Sequence, residues 1–336
     1  MRLQTKLASF LHDTLHITHY TFLVSSLTAA GCAAQKPLMS VIVPVTDLRA
    51  QPHTTAQPAS HDPLEETQLL YGELVKLLNT EDGWAQVEAV EQPEFTHARR
   101  WQGYPGWVLA SELVPADSWL APTIVVTERW AATWEDAYNL IPSRWRFPLG
   151  TRLRAVDMGG QRWKVELLDG STVWMPHHFA RSLEELRAQS AAEKRRAILR
   201  NAELLIGDPY YWGGRSPNTT DFVDRVTGVD CSGLVNLAYR ASGLDIPRDA
   251  HEQFLRAHPV NAPQPADLIF LSERENPQRI VHVMLYAGEG MLIEGPGTGQ
   301  AVRRIAIEQR LGHSLDWLES GSVVDGQTVS FGSYLP

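Results

Sequence analysis

Short runs in which hydrophobic and polar residues alternate fill much of the first half of the sequence, and they form two similar groups. The segments are 72–75, 84–87 and 106–108 in the first group and 150–153, 163–165 and 173–175 in the second. The last interval is longer in the first group, which indicates an extra loop at about residues 90–103. Short alternating strands broken by Gly, Asp and Pro are typical of small antiparallel barrels. The pattern predicts two such barrels.

A helical period replaces this alternation after the second barrel. Between Ser182 and Ile206 apolar residues recur at intervals of three and four, which predicts one helix, and Gly207-Asp208-Pro209 ends it. A third domain follows, and the seam between the barrels is expected at Pro115–Trp119. The predicted organisation is a leader at residues 1–38, barrels at 39–115 and 116–181, and a third domain at 182–336.

The sequence GVDCSGLV places Cys231 where a loop turns into a helix. The apolar residues that follow have helical spacing as far as Ala241, and Gly243 is suited to end the helix. Asp230 would be the N-cap. Cys231 would lie in the first turn, where unpaired N–H groups and the helix dipole favour a thiolate and can stabilise an oxyanion. A lone cysteine is more often a small buried hydrophobe, so the hypothesis of a nucleophile requires a base elsewhere.

A predicted hairpin supplies that base. Residues 280–286 alternate with His282 on one face, and a second apolar run ends at Glu294. A turn of two residues would place Glu294 and His282 on opposite faces. A loop of three residues ending at Gly290 would pair Glu294 with Met284 and leave it diagonal to His282, within reach of a glutamate side chain. We therefore expect Cys231 as nucleophile, His282 as base and Glu294 as the group that orients the imidazole.

Composition narrows the class of protein. The chain has 336 residues with a formal net charge of −9, and 43% of the residues are hydrophobic, which is typical of a globular protein. Nucleic-acid binders need concentrated Lys and Arg, so no nucleic-acid partner is expected. Two cysteines, Cys32 and Cys231, provide no disulfide framework, and Cys231 is expected to be a free thiol.

The first 38 residues differ from the rest. An apolar run from Tyr20 to Ala30 follows a weakly positive start, and Gly31-Cys32 resembles a lipoprotein cleavage site. The run is too short to cross a bilayer, so no integral membrane span is expected. Two interpretations stay open. Residues 1–31 are a signal segment, which implies the cell envelope or periplasm, or Met39 is the working start and the protein is cytoplasmic.

Four ordered motifs carry a resemblance to a known family. They are Pro209-Tyr210-Tyr211-Trp212-Gly213-Gly214, Asp230-Cys231-Ser232-Gly233-Leu234-Val235, Pro265-Ala266-Asp267-Leu268-Ile269-Phe270, and His282-Val283 ahead of a glycine-containing hairpin. Residues 186–336 resemble the NlpC family of cell-wall cysteine peptidases, which implies a compact α+β papain-like domain. Less sharply, the segments 47–49, 66–73 and 103–107 resemble the paired bacterial SH3-like domains of the γ-D-glutamyl-L-diamino-acid dipeptidyl-peptidase branch. The implied fold is an NlpC-type peptidase domain preceded by two small all-β SH3-like barrels.

The resemblance implies an activity and a set of roles. The activity is hydrolysis of the amide between γ-D-glutamate and lysine or diaminopimelate in peptidoglycan stem peptides with a free N-terminal L-alanine. Cys231 would be the nucleophile, His282 the base and Tyr210 a donor near the oxyanion. The third catalytic position is usually histidine in this branch and is Glu294 here. A carboxylate can accept the imidazole N–H as well, although the pH optimum can differ.

The same resemblance implies residues that bind the substrate. Asp230, Ser232 and Asp249 would line its glutamate and its amine. Tyr104 and Glu66 would reach over from the first barrel and close the pocket against longer, glycan-linked peptides. A net charge of −9 provides no attraction to the anionic wall polymer, which favours small soluble murein peptides as the partner.

Other functions stay open on the sequence. The scaffold could serve an amidase or acyltransferase, or a catalytically silent wall-binding protein in which the barrels act, an alternative that Glu294 motivates. His177-His178 and His251 lack zinc-ligand spacing, and the glycine-rich segments lack the residues of a phosphate loop, so neither a metal nor a cofactor is expected. Arg303-Arg304 is expected on a solvated face. The preferred diamino acid, the choice between intact wall and fragments, and the oligomeric state are undetermined.

Overall fold

The computed structural model describes residues 36–54, 61–116, 121–158, 161–221, 223 and 225–336. The leader expected at residues 1–38 therefore lies outside the described residues as far as Gln35. Residues 36–336 form one compact unit. No helix among the described residues has the length and apolar character needed to cross a bilayer.

Seven antiparallel strands form the first sheet. They are β1 Leu38–Val41, β2 Val45–Arg49, β3 Glu65–Leu70, β4 Leu74–Glu81, β5 Trp84–Glu94, β6 Gln102–Leu109 and β7 Leu113–Pro115, with a 3-10 turn at Ala110–Glu112. Their order is β3-β2-β6-β5-β4-β1-β7. Residues that alternate along β5 and β6, such as Val87 and Val108, are buried in the core of this unit, as the period of two requires.

The next seven strands repeat this arrangement. They are β8 Ile124–Val126, β9 Trp130–Trp134, β10 Pro142–Pro148, β11 Arg152–Asp157, β12 Arg162–Glu166, β13 Thr172–Pro176 and β14 Ala180–Ser182, with a 3-10 turn at His177–Phe179. Their order is β10-β9-β13-β12-β11-β8-β14. Each strand occupies the place of the strand seven positions earlier in the first sheet. The internal repeat that the sequence predicts is confirmed.

The extra loop of the first repeat is a lengthened hairpin. Strand β5 has 11 residues against five in its counterpart β12. A register shift between Ala89 and Pro93 bends the β5–β6 ladder where the insertion begins. At the tip, the backbone amides of Phe95 and Thr96 donate to Glu252 in the third domain. The insertion therefore joins the first sheet to the third domain.

Two helices replace the single helix predicted between Ser182 and Ile206. They are α1 Leu183–Ala188 and α2 Ala191–Glu203. Ser190 interrupts the helix because it caps α2 in a capping box, in which its side chain accepts from the Glu193 amide and the Glu193 carboxylate accepts from the Ser190 amide. The prediction of one continuous helix was wrong because this cap competes with the apolar period.

The third domain packs helices against one antiparallel sheet. Its helices are α3 Cys231–Arg240, α4 Ala250–Arg256 and α5 Ile307–Leu311, with a 3-10 turn at Leu315–Trp317. Its strands are β15 Arg215–Ser216, β16 Gly228–Val229, β17 His258–Pro259, β18 Leu268–Ser272, β19 Ile280–Gly288, β20 Met291–Glu294, β21 Arg303–Ala306, β22 Val323–Val324 and β23 Gln327–Ser333. The main sheet has the order β17-β23-β18-β19-β20-β21. Helix α3 buries Leu234 and Ala238 in a core with Phe270 and Val283 of the sheet, which is an α+β arrangement.

The register of the β19–β20 hairpin agrees with the prediction. Leu285 pairs with Ile293, so Glu294 lies diagonal to His282 on the same face. The turn itself is shorter than predicted. It consists of Glu289 and Gly290, both with positive φ, and a β-bulge between Tyr286 and Gly288 restores the expected parity.

A buried ion pair joins the first sheet to the third domain. The guanidinium of Arg215 donates to both carboxylate oxygens of Glu73 at 3.2 and 2.9 Å, and both side chains are almost fully buried. Arg240 on α3 pairs with the same carboxylate at 3.1 Å. Loss of either partner would leave a buried charge uncompensated and destabilise the fold. This contact therefore fixes the first sheet against α3.

Candidate active site

Cys231 is the first residue of α3, as predicted. Asp230 is the N-cap, with an extended backbone and a side-chain oxygen that accepts from the Gly233 amide at 2.6 Å. The helix begins close to the 209–214 segment because position 233 is glycine. A Cβ added there would lie 2.2 Å from the carbonyl oxygen of Gly214, which no side chain permits. Cys231 therefore lines a pocket, and 8% of the residue is exposed.

His282 connects Cys231 to Glu294. Its ring lines the same pocket as Cys231, and Nε2 lies 3.0 Å from Oε2 of Glu294. The ionised carboxylate accepts only, so Nε2 donates to it and Nδ1 is left for the sulfur. Burial alone lowers the pKa of His282, but the hydrogen bonds to Cys231 and Glu294 outweigh it and raise the pKa to about 9. The imidazole therefore carries a proton at neutral pH.

Two arginines also bind Glu294, whose side chain is fully buried. Arg303 donates through Nη2 to Oε1 at 2.8 Å, and Nε of Arg310 lies 3.1 and 3.0 Å from the two oxygens. Burial raises the pKa of Glu294, but His282 and the two guanidinium groups outweigh burial and lower it to about 2. The Arg303 side chain is 39% exposed and the Arg304 side chain 42%, as expected of a solvated face. The expectation missed that the Arg303 guanidinium also contacts this carboxylate, whereas Arg304 pairs with Glu203.

One pocket of about 640 Å³ contains Cys231 and His282. Every predicted site residue except Glu294 lines it, namely Glu66, Tyr104, Tyr210, Asp230, Cys231, Ser232, Asp249 and His282. Glu294 stands behind the imidazole. The structure therefore brings together residues that are up to 228 positions apart in the sequence, since Glu66 and Glu294 belong to one site.

A cluster of acids lies where the first sheet meets the pocket. The hydroxyl of Tyr104 donates to Asp249 at 3.0 Å and lies 3.2 Å from Glu66. Burial in the pocket raises the pKa of Asp249 to about 7 with help from the nearby acids Glu252 and Asp230, although Arg248 and the Tyr104 hydroxyl oppose the shift. About a third of the Asp249 side chain stays exposed, at 37%. This end of the pocket therefore presents the carboxyl groups of Asp249 and Glu66 beside the Tyr104 hydroxyl.

Asp230 holds the site together through Arg248. The Arg248 guanidinium is fully buried and donates to both Asp230 oxygens at 3.0 and 2.8 Å and to the Ser232 hydroxyl at 2.9 Å. The Gly213 amide adds a further bond to Asp230 at 3.1 Å. The carboxylate lines the pocket, as expected, but its oxygens are already occupied by these donors. Sequence reasoning missed Arg248, although it directly precedes the predicted Asp249.

Tyr210 provides a hydroxyl beside the sulfur. Its hydroxyl has no hydrogen-bond partner in the described part of the chain, and the residue is only 7% exposed. Burial, followed by the negative charge of Asp230 and of Cys231, raises the pKa of Tyr210 far above its usual value. The phenol therefore stays protonated and can donate to an oxygen that develops negative charge.

Sequence analysis missed a second set of pocket residues. Thr96 and His97, from the tip of the lengthened hairpin, line the pocket together with Glu252 of α4. The Thr96 amide donates to Glu252 at 3.0 Å, and His97 lies 3.8 Å from Glu66. Among the described residues, no group of three or more His, Cys, Asp or Glu side chains could hold a metal ion.

The chain is similar to several known proteins. Residues 207–314 match the NlpC/P60 family. Over 251 residues the chain is 28% identical to the gamma-D-glutamyl-L-lysine dipeptidyl-peptidase of Bacillus cereus, covering 72% of this chain and 70% of the relative. A protein of the same name from Bacillus subtilis is 26% identical over 252 residues, which cover 74% and 78% of the two chains. A crystal structure of an NlpC/P60 family protein from Bacillus cereus covers 89% of this chain and 100% of its own at a TM-score of 0.68 and 22% identity, which shows a shared fold.

Proposed function

Because the chain carries an NlpC/P60 domain and is a cell-wall cysteine peptidase, we propose that it hydrolyses the γ-D-glutamyl-L-diamino acid bond of peptidoglycan stem peptides with a free N-terminal L-alanine. The product would be L-Ala-γ-D-Glu, and the leaving group lysine or diaminopimelate. The relatives from Bacillus cereus and Bacillus subtilis are named for the lysine bond.

The observation that carries this proposal is the bond between Tyr104 and Asp249 in the pocket of Cys231. Tyr104 comes from the first sheet and Asp249 from the third domain, and Glu66 adds a second carboxylate. An α-ammonium group is the part of a trimmed stem peptide that two carboxylates and a phenol oxygen would bind. A peptide still joined to glycan through this nitrogen has no such charge.

Cys231, His282 and Glu294 account for both steps of the proposed reaction, which are acylation of the sulfur and hydrolysis of the thioester. The sulfur of Cys231 attacks the γ-carbonyl carbon of the D-glutamate, and the C–N bond breaks as protonated His282 transfers its proton to the leaving nitrogen. His282 then takes a proton from water, and the hydroxide attacks the thioester and expels the Cys231 thiolate, which restores the starting pair of thiolate and imidazolium. Glu294 holds the imidazole and stabilises its charge throughout.

Tyr210 would stabilise the oxyanion formed in each step. Its protonated hydroxyl lines the pocket beside Cys231, and the amides at the start of α3 offer further donors. Donors fixed before the reaction begins need no rearrangement as charge develops. Ser232 and Asp230 would line the glutamate portion of the substrate.

The proposal includes a domain assignment. The two sheets would be bacterial SH3-like barrels at residues 39–115 and 116–181, and residues 182–336 a papain-like peptidase domain. Their identical strand order supports an origin as paired copies of one module.

The test uses the full chain with L-Ala-γ-D-Glu-L-Lys, its diaminopimelate analogue and the N-acetylated form of each, followed by mass spectrometry. Release of L-Ala-γ-D-Glu from the free peptides by wild type, and not by Cys231→Ala, supports the proposal. Cleavage that persists in Cys231→Ala, or equal cleavage of acetylated peptides, overturns it. A different released fragment would indicate an amidase or acyltransferase, and a folded protein that cleaves nothing would indicate a silent binding protein.

A further inference from the structure

Arg310 is shared between the orienting carboxylate and the pocket. Its Nε lies 3.0 and 3.1 Å from the two oxygens of Glu294. Its terminal nitrogens have no hydrogen-bond partner within the part of the chain that the structure describes. The side chain is 26% exposed and lines the same pocket as Cys231 and His282. A guanidinium held at one nitrogen, with two further nitrogens available, is a preorganised receptor for a carboxylate.

The position of Arg310 selects one part of the substrate. His282 protonates the leaving nitrogen in the proposed reaction, so this nitrogen must lie beside the imidazole. The carbon bonded to that nitrogen also bears the α-carboxyl group of the diamino acid. Arg310 is tied to the same imidazole through one carboxylate, Glu294. The α-carboxyl group therefore lies on the imidazole side of the pocket, which Arg310 also lines.

We infer that Arg310 binds the α-carboxylate of the leaving diamino acid, so that the preferred substrate is a tripeptide that ends at this residue; the inference rests on the proposed function. The acidic end, with Asp249 and Glu66, takes the ammonium group, and Arg310 takes the carboxylate. The distance between these two groups then selects peptides by the separation of their ammonium and carboxylate groups. Reactions that remove any residue beyond the diamino acid and that release the stem peptide from glycan must supply such a substrate.

Arg303 is the matched control for Arg310. Both donate to Glu294, but Arg303 is not among the residues that line the pocket. Loss of either arginine perturbs Glu294, whereas only loss of Arg310 removes the carboxylate site. Arg279 is a second control, because it lines the pocket and, within the part of the chain that the structure describes, forms no hydrogen bond or ion pair with Glu294.

The experiment compares kcat/KM for L-Ala-γ-D-Glu-L-Lys and for its C-terminal carboxamide at pH 7. The ratio of the two values does not depend on the fraction of folded protein, because both substrates are measured on one preparation. Wild type should prefer the free acid by at least about tenfold, the advantage of a charge-assisted hydrogen bond. Arg310→Gln should bring the ratio near one, and Arg303→Gln and Arg279→Gln should keep it, even where they slow both substrates.

Each other outcome has a defined meaning. A wild-type ratio near one, or a ratio that survives in Arg310→Gln, overturns the inference while leaving the proposed function intact. A ratio that falls in Arg279→Gln instead assigns the carboxylate to Arg279 and overturns the role of Arg310. Failure of wild type to release L-Ala-γ-D-Glu from either peptide overturns the proposed function, and this inference with it.

Discussion

The hydroxyl of Tyr104 lies 3.0 Å from Oδ2 of Asp249, across 145 positions of sequence. Tyr104 belongs to strand β6 of the first sheet, and Asp249 directly precedes helix α4. A residue outside the domain that carries Cys231 therefore forms part of the site. One pocket is therefore lined by residues from two parts of the chain.

Tyr104→Phe removes this hydroxyl and keeps the ring. We expect KM for the free tripeptide to rise about tenfold, the value of one hydrogen bond to a charged group, with little change in kcat. Tyr71→Phe is the control, because the Tyr71 hydroxyl bonds the Leu168 amide in a cavity away from Cys231. That variant should lose stability and keep its KM. Equal values of KM for Tyr104→Phe and wild type would contradict the role of Tyr104.

The acid side of the pH profile should report Asp249. Its pKa is raised to about 7, so the carboxyl group is neutral below that pH and gains charge as the pH rises through it. We expect kcat/KM to rise about fivefold from pH 6 to about pH 7.5, and to fall at higher pH as the substrate's α-amino group, with a pKa of about 8, loses its proton. In Asp249→Asn the acid limb should disappear. An unchanged acid limb in that variant would assign it to another group.

The alkaline side of kcat at saturating substrate should report His282. The leaving nitrogen takes its proton from the imidazolium, and the pKa of His282 is raised to about 9, so kcat should fall above that pH. Glu294→Gln removes a hydrogen-bonded charge that supports the raised pKa, and the fall should then begin at lower pH. Glu294→Asp keeps the charge and is the control. A limb that stays near pH 9 in Glu294→Gln would show that Glu294 does not tune the base.

The buried contact between Glu73 and Arg215 predicts a large effect on stability. Glu73→Gln leaves two buried guanidinium groups, Arg215 and Arg240, without their shared carboxylate. We expect the free energy of unfolding in urea to fall by about 3–5 kcal/mol. Lys76→Gln breaks the partly exposed pair with Glu88 and should change the free energy of unfolding by less than about 1 kcal/mol. Similar losses in the two variants would mean that burial of the pair is unimportant.

Local patterns in the sequence predict the elements that carry Cys231, His282 and Glu294. The N-cap at Asp230 follows from the preference of aspartate for that position. The strand period and the glycines near position 290 predict the face shared by His282 and Glu294, even though the turn has two residues and a bulge. These features depend on a few neighbouring residues, which is why the pattern contains them.

Contacts between distant segments could not be predicted in the same way. Arg248 reaches Asp230 from 18 positions away, and Thr96 reaches Glu252 from 156. No local periodicity records such pairings, because they depend on how the two sheets and the third domain pack. The interruption at Ser190 is different, because Ser190 and Glu193 have the spacing of a capping box in the sequence. The apolar period that continues across Ser190 favoured one helix instead.

The lengthened hairpin has a consequence for how peptidases of this architecture can diversify. Its tip contributes Thr96 and His97 to the rim of the pocket, whereas the second copy of the module contributes none of the described residues that line it. Insertions or deletions of about a dozen residues in a surface hairpin cost little in chain entropy. Changes in the length of this one hairpin can therefore alter which molecules enter the pocket. The sulfur of Cys231 and the imidazole of His282 would keep their positions.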